Sequence, residues 1–234
     1  MNEFLWVEKY RPKNIEHCIL PDDLKKTFKS FVDAGEVPNL LLCGTAGIGK
    51  TTVAKALCHE LGVDSIVING SDEGRFLDTV RNSAKQFAST VSLTSSAKHK
   101  VIIIDEADNT THDVQLLLRA SIEEFQNNCR FIFTCNFKNK IIQPLHSRTT
   151  VIDCNTRGKQ KQQIATQFFE RCRGILTAEN IEFTDAVVAE VVQKFFPDFR
   201  RTLNELQRYA ASGVIDTGIL AQISQVRLEK LVGA

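Results

Sequence analysis

Leu40-Leu41-Leu42-Cys43-Gly44-Thr45-Ala46-Gly47-Ile48-Gly49-Lys50-Thr51 decides the fold. An apolar run of strand length empties into G-x-x-x-x-G-K-[ST], and a helical pattern, Gly49–Leu61, follows at once. The glycines let the backbone wrap so that several N–H groups point at phosphate oxygens. The positive end of the helix adds to the same field. Lys50 is expected on the β- and γ-phosphates of a nucleoside triphosphate, and the Thr51 hydroxyl on Mg²⁺. Gly44, Thr45, Ala46, Gly47, Ile48, Gly49, Lys50, Thr51 and Thr52 are therefore the candidate phosphate-binding residues. A glycine-rich turn matching by chance is the competing account, and it explains neither flank.

The second half of such a site follows at Val101-Ile102-Ile103-Ile104-Asp105-Glu106, a buried-type strand ending in two carboxylates. Asp105 is expected in the Mg²⁺ shell and Glu106 beside the attacking water. Two solvated acids at a strand end would look the same in isolation; the pairing with the phosphate loop gives the motif its weight. Thr134-Cys135-Asn136 closes another strand. Ligands of open α/β sheets sit at the carboxyl ends of strands, where the Asn136 amide can orient water. A plain turn asparagine fits that position too.

Outward from these motifs, apolar runs alternate with helical patterns. The expected strands are Leu40–Cys43, Ser65–Asn69, Val101–Asp105, Arg130–Cys135 and Thr150–Asp153. Short continuous apolar runs suit parallel strands covered on both faces. The helices expected between them include Arg75–Ala88 and Asp113–Phe125, each with one apolar face. After Asn155 no strong strand signal remains, and Gly158–Leu176, Asp185–Phe195, Phe199–Ala211 and a shorter segment after Val214 read as helices. The fold class is α/β: a parallel five-stranded sheet with helices on both faces over residues 1–155, then a small all-α domain over 156–234.

The ordered motifs resemble the AAA+ clamp-loader, or replication factor C, family of P-loop ATPases. Trp6-Val7-Glu8-Lys9-Tyr10-Arg11-Pro12 is similar to its W-x-E-K-Y-R-P opening, and Asn69-Gly70-Ser71-Asp72 to N-A-S-D. Asp105-Glu106-Ala107-Asp108 matches D-E-A-D, Ser147-Arg148-Thr149 resembles S-R-C, and Asp198-Phe199-Arg200-Arg201 resembles G-D-x-R-R with Pro197 in place of Gly. The segments around Phe196–Arg201 and Gly213–Leu220 look most like the large subunit of the sliding-clamp loaders of tailed bacteriophages.

The resemblance implies that Tyr10, Arg11 and Pro12 border the adenine. Asn136 would be the first sensor, Arg200 the second, and Arg148 an arginine finger reaching a neighbour's γ-phosphate. Gln115 and Arg119 match the Q-x-x-L-R helix that couples subunits. Arg75, Arg81 and Lys85 would track the DNA backbone, although a solvated helix face explains them equally. The implied cofactors are ATP and Mg²⁺. The implied partners are other copies of the chain in a ring or spiral, a clamp-loader small subunit, the sliding clamp and primer–template DNA. The implied role is ATP-driven clamp opening and DNA-triggered release in viral DNA replication, in the host cytoplasm if the chain is phage-encoded. Relatives continue into a helical collar domain with no counterpart within these residues, which leaves the nucleotide interface as the expected subunit contact.

Composition agrees with a soluble enzyme and excludes little else. The chain has 234 residues, 43% hydrophobic and 24% charged, with a formal net charge of +1. Any nucleic-acid site is then a local patch. No apolar run is long enough to span a bilayer, and the start is unlike a signal peptide, so a cytosolic location without membrane partners is expected. The seven cysteines form no C-x-x-C pair and read as buried thiols. Three alternatives have less support: a helicase-loader motor lacks the W-x-E-K-Y-R-P start, a non-hydrolysing scaffold has no use for an intact Lys50, Thr51, Asp105 and Glu106 set, and a nucleoside kinase needs an arginine-rich lid.

Overall fold

The computed structural model describes residues 4–71, 85–90, 99–211 and 213–216. Contacts divide the chain into two compact units. One is Pro12–Asn155, and the other joins Met1–Arg11 to Thr156–Ala234. In chain order the elements begin with α1 (Trp6–Lys9), which belongs to the second unit.

The first unit runs α2 (Asp22–Ala34), β1 (Leu40–Cys43), α3 (Lys50–Leu61), β2 (Ser65–Asn69), α4 (Lys85–Ser89) and β3 (Lys100–Asp105). It continues through a 3₁₀ turn at Ala107–Asn109, α5 (His112–Glu124), β4 (Cys129–Cys135), a 3₁₀ turn at Lys138–Lys140, α6 (Gln143–His146) and β5 (Thr150–Asp153). The five strands form one parallel sheet in the order β2-β3-β4-β1-β5. The strands expected from the apolar runs are all present, with β3 and β4 each starting one residue earlier. Alternation along each strand fills both faces. Leu40, Leu42, Val101, Ile103, Ile132 and Ile152 pack with Phe28, Val53 and Leu57 from α2 and α3. Leu41, Cys43, Ile102, Ile104, Phe131 and Phe133 pack with Val114, Leu118 and Ile122 from α5. β2 is an edge strand whose burial is partial, which is why its apolar run breaks at both ends. Of the helix expected over Arg75–Ala88, only the final turn lies within the described residues.

The second unit holds α7 (Lys159–Ala178), β6 (Glu182–Phe183), α8 (Asp185–Phe195), α9 (Phe199–Ala210) and β7 (Val214–Ile215). Ile164, Phe168, Cys172 and Ile175 recur at helical spacing along the buried face of α7, and Val187, Val188, Val191 and Val192 do the same on α8. The Phe168 and Phe199 rings lie 4.4 Å apart. An all-α unit is corrected in one detail: β6 and β7 pair in parallel over two residues each, a ladder too short to leave any alternation in the sequence. The helix expected after Val214 lies outside the described residues.

The N-terminal segment also departs from the division at 155, which grouped it with the sheet. Trp6 is buried and α1 packs on α9. The Trp6 N–H donates to Gln207 Oε1 at 3.0 Å, and Gln207 Nε2 donates to the Phe4 carbonyl at 2.8 Å. The Gln207 amide thus acts as donor and acceptor to one short stretch of backbone. All seven cysteines are free and buried.

Candidate active site

The phosphate loop runs from the end of β1 into α3. Gly44, Gly47 and Gly49 have φ of 152°, 79° and 92°, conformations that L side chains rarely adopt. A Cβ on Gly44 would stand 2.5 Å from Ile48 Cδ1, so any other residue there would push that side chain aside as well as strain the backbone. The Thr45 N–H donates to Asn155 Oδ1 at 3.0 Å, tying the loop to the end of the sheet. Lys50 is 8% exposed, and its ammonium donates to the Gly44 and Thr45 carbonyls and to Asn136 Oδ1, each at 2.8 Å. Burial lowers the Lys50 pKa from its usual value. Phosphate charge would act in the opposite sense.

The carboxylates stand at the end of β3. Thr51 Oγ1 and Thr134 Oγ1 both donate to Asp105 Oδ1 at 2.6 Å. Thr134 also accepts the Glu106 N–H at 3.0 Å, so one buried hydroxyl links the two acids. Glu106 sits at φ 55°, a left-handed conformation that costs a non-glycine residue roughly 1–2 kcal/mol. Such strain persists only where the surroundings hold it. Here Ser71 Oγ and, at 3.1 Å, Asn109 Nδ2 both donate to Glu106 Oε2. The Asp108 carboxylate, 5% exposed, accepts the N–H groups of Asn136 and Phe137 at 3.1 and 3.0 Å and so fixes the loop that carries Asn136. A hydroxyl and a carboxylate on adjoining elements, both hard oxygen donors, fit a hydrated Mg²⁺, which takes few protein ligands. Thr51 and Asp105 would hold it.

Gly70 keeps Ser71 in reach. Its N–H donates to the Asp105 carbonyl at 2.7 Å, and a Cβ there would meet the Glu106 carbonyl oxygen at 2.5 Å. Where the related motif carries alanine, this loop has no room for it. Gly70→Ala is expected to destabilise the first unit by about 1–3 kcal/mol, the usual cost of overpacking, and to slow hydrolysis through displacement of Glu106. Urea unfolding and a steady-state ATPase assay measure the two effects; a variant matching wild type in both would show that the loop relaxes freely.

The remaining candidates are dispersed. Gln115 is buried: its Nε2 donates to the Lys140 carbonyl at 3.0 Å and its Oε1 accepts the Ile142 N–H at 2.8 Å. Arg119, one turn on, is partly buried, and its Nε has no hydrogen-bond partner among the described residues. Arg148 follows α6 and pairs with Glu123 of α5 at 2.5 Å. In the second unit, the Tyr10 hydroxyl donates to Glu179 at 2.6 Å, the Tyr10 carbonyl accepts from Arg171 at 2.8 Å, and Arg11 pairs with Glu8. Pro12 opens the first unit, half-buried. Arg200 is exposed in the first turn of α9, a helix capped by Asp198, whose side chain accepts the Arg201 N–H at 2.9 Å. Lys85 is exposed, its ammonium 3.6 Å from Glu124; Arg75 and Arg81 lie outside the described residues. Residue roles for Ser71, Asp108, Asn109, Thr134 and Asn155 escaped the sequence reading. Asp108, Ser71 and Thr134 were in view within the D-E-A-D, Asn69-Gly70-Ser71-Asp72 and Thr134-Cys135-Asn136 stretches, but the partners of Ser71, Thr134 and Asn155 lie far along the chain, and Asn109, although three residues from Glu106, is a single polar residue outside any motif.

A phosphate loop between a buried strand and a helix, with acids at the end of the next-but-one strand of a parallel β2-β3-β4-β1-β5 sheet, defines an AAA+ ATPase. The family described as ATPase family associated with various cellular activities (AAA) matches residues 40–155, and the one described as sliding-clamp-loader large subunit, AAA+ ATPase lid domain matches residues 160–221. The sliding-clamp-loader large subunit of Escherichia phage RB69 is 42% identical over 229 residues, covering 96% of this chain and 70% of that protein. The large subunit of Enterobacteria phage T4 is 41% identical with the same coverage. A replication factor C small subunit of Saccharolobus solfataricus is 35% identical over 97% of this chain and 70% of that protein. In fold, the chain is similar to the Thermotoga maritima RuvB Holliday junction branch migration motor, with TM-score 0.71 and 22% identity over 92% of this chain and 72% of that one. The chain belongs to the sliding-clamp-loader subunit family, on the large-subunit side. No described helix is long and apolar enough to cross a membrane.

Proposed function

We propose that the chain is the ATP-hydrolysing subunit of a DNA polymerase sliding-clamp loader, in which ATP binding holds subunits in a spiral that opens the clamp and hydrolysis releases it on primer–template DNA. The observation that carries this is the pair of hydrogen-bonded sets at the strand ends, Lys50 with Asn136 and Thr51, Asp105, Thr134 and Glu106 together, in a chain of clamp-loader ancestry. A subunit that only bound a clamp would have no use for Glu106 held in a strained backbone conformation.

Lys50 and the loop N–H groups bind the β- and γ-phosphates of ATP. Mg²⁺, when bound, supplies charge neutralisation at the phosphate oxygens, with Thr51 and Asp105 as its protein ligands. Glu106 takes a proton from the attacking water, and Asn136 orients that water. Arg148 acts on the nucleotide of a neighbouring subunit, Arg200 on that of its own, and Tyr10, Arg11 and Pro12 border the adenine. Gln115, clamped to the backbone between Asn136 and Arg148, supports a route by which the two respond together, with Arg119 beside it. Arg75, Arg81 and Lys85 contact DNA phosphates, which requires Lys85 to leave the exposed Glu124.

The test is turnover with and without the partner small subunit, the clamp and primed DNA. Hydrolysis by the chain alone is expected to be low and to rise by at least about tenfold when all three are added, since a neighbour's arginine finger is worth far more than that. Turnover indifferent to clamp and DNA would leave an AAA+ ATPase of another purpose.

A further inference from the structure

Arg148 is held by its own subunit. Its Nε and Nη2 both donate to Glu123 Oε1, at 2.8 and 2.5 Å. Its Nη1 donates to the Pro144 carbonyl at 3.0 Å and to the Ser147 hydroxyl at 3.3 Å. A guanidinium has five N–H donors in a rigid plane. These contacts occupy all but one, which projects from Nη2. Glu123 lies at the end of α5, and Arg148 between α6 and β5, so the pair joins two elements that approach only in the folded unit.

An ion pair this exposed adds little to stability: 32% of the Arg148 side chain and 51% of the Glu123 side chain remain accessible. What it supplies is orientation. An arginine loses much rotamer freedom when it must reach a target, and a guanidinium already fixed in its plane loses less. Neighbouring charge acts in the same direction. The Arg148 hydrogen bonds first, then its charge, and more weakly the charge of Arg119, hold the Glu123 carboxyl below its usual pKa, so the acceptor stays ionised.

We propose that Glu123 is a positioning residue, fixing the Arg148 guanidinium before a neighbouring subunit's nucleotide arrives. This rests on the reading of Arg148 as an arginine finger. Among the described residues Glu123 bonds Arg148 and none of Lys50, Thr51, Asp105 or Glu106, so it acts through Arg148. Its loss should therefore appear in the rate of the assembled complex and not in ATP binding.

Glu123→Ala and Glu123→Gln, compared with wild type and Arg148→Ala in the complex with small subunit, clamp and primed DNA, test it. Glu123→Ala is expected to lower kcat by about tenfold, the scale of a lost orienting contact, with KM for ATP unchanged. Glu123→Gln keeps an acceptor oxygen and should retain at least about a third of the wild-type rate. Nucleotide affinity of the isolated chain should be unchanged in both. The proposal is overturned if Glu123→Ala turns over like wild type, if the glutamine variant is as impaired as the alanine one, or if ATP binding weakens in step with kcat. A wild-type rate in Arg148→Ala would instead overturn the finger reading, whatever Glu123 does.

Discussion

Replacement of Arg148 by alanine is expected to cut ATP turnover in the assembled complex by roughly three to five powers of ten, the usual worth of an arginine finger, while leaving ATP binding by the isolated chain intact. The physical basis is separation. Arg148 follows α6 and contacts Glu123, Pro144 and Ser147, whereas the phosphate loop is completed by Lys50, Asn136 and Asn155. Among the described residues no hydrogen bond or ion pair joins the two sets. Lys50→Ala has the opposite profile, because it removes the ammonium from the phosphates and leaves two carbonyls and the Asn136 amide without their donor. Mixing the two variants should restore part of the turnover, each supplying what the other lacks. Absence of recovery at every ratio, under conditions where wild type assembles, would argue against action on a neighbour.

Glu106→Gln is expected to lower turnover by about a hundredfold to ten-thousandfold, the range typical of a lost general base, with nucleotide affinity preserved. Glutamine keeps the size of the side chain and an oxygen for Ser71 and Asn109, and the left-handed backbone is held from outside by Thr134. Lys50 and Thr51 make no contact with Glu106, so the phosphate grip is untouched. Fluorescent-nucleotide titration beside a phosphate-release assay separates the two quantities. Near-normal release from this variant would remove Glu106 from its assigned role.

Residues with local neighbours were legible before the structure. The phosphate loop was, because strand, turn and helix follow one another within twelve residues and each glycine answers a backbone demand of that turn. All five strands were, four of them as short continuous apolar runs, because both faces of a parallel sheet are covered. The helix α2 passed unread although its ends and its pattern were both available: Pro21 precedes it and Gly35 follows it, signals that mark helix ends, and Leu24, Phe28, Phe31 and Val32 recur at i, i+4, i+7 and i+8 along one face.

What the sequence by itself determined is the chemistry: a lysine, a hydroxyl and two acids at spacings that only a nucleotide-hydrolysing loop and strand require, in the motif order of clamp loaders. What only the tertiary structure decided is which polar residues support that chemistry. Thr134 bridges Asp105 and Glu106, Ser71 and Asn109 hold the Glu106 carboxylate, Asp108 fixes the Asn136 loop, and Glu123 holds Arg148. Most of these contacts join residues that lie 25 or more positions apart. A serine, threonine or glutamate makes such a bond only where the fold brings a partner within about 3 Å, and sequence spacing carries no trace of that distance once the chain has crossed from one strand to another.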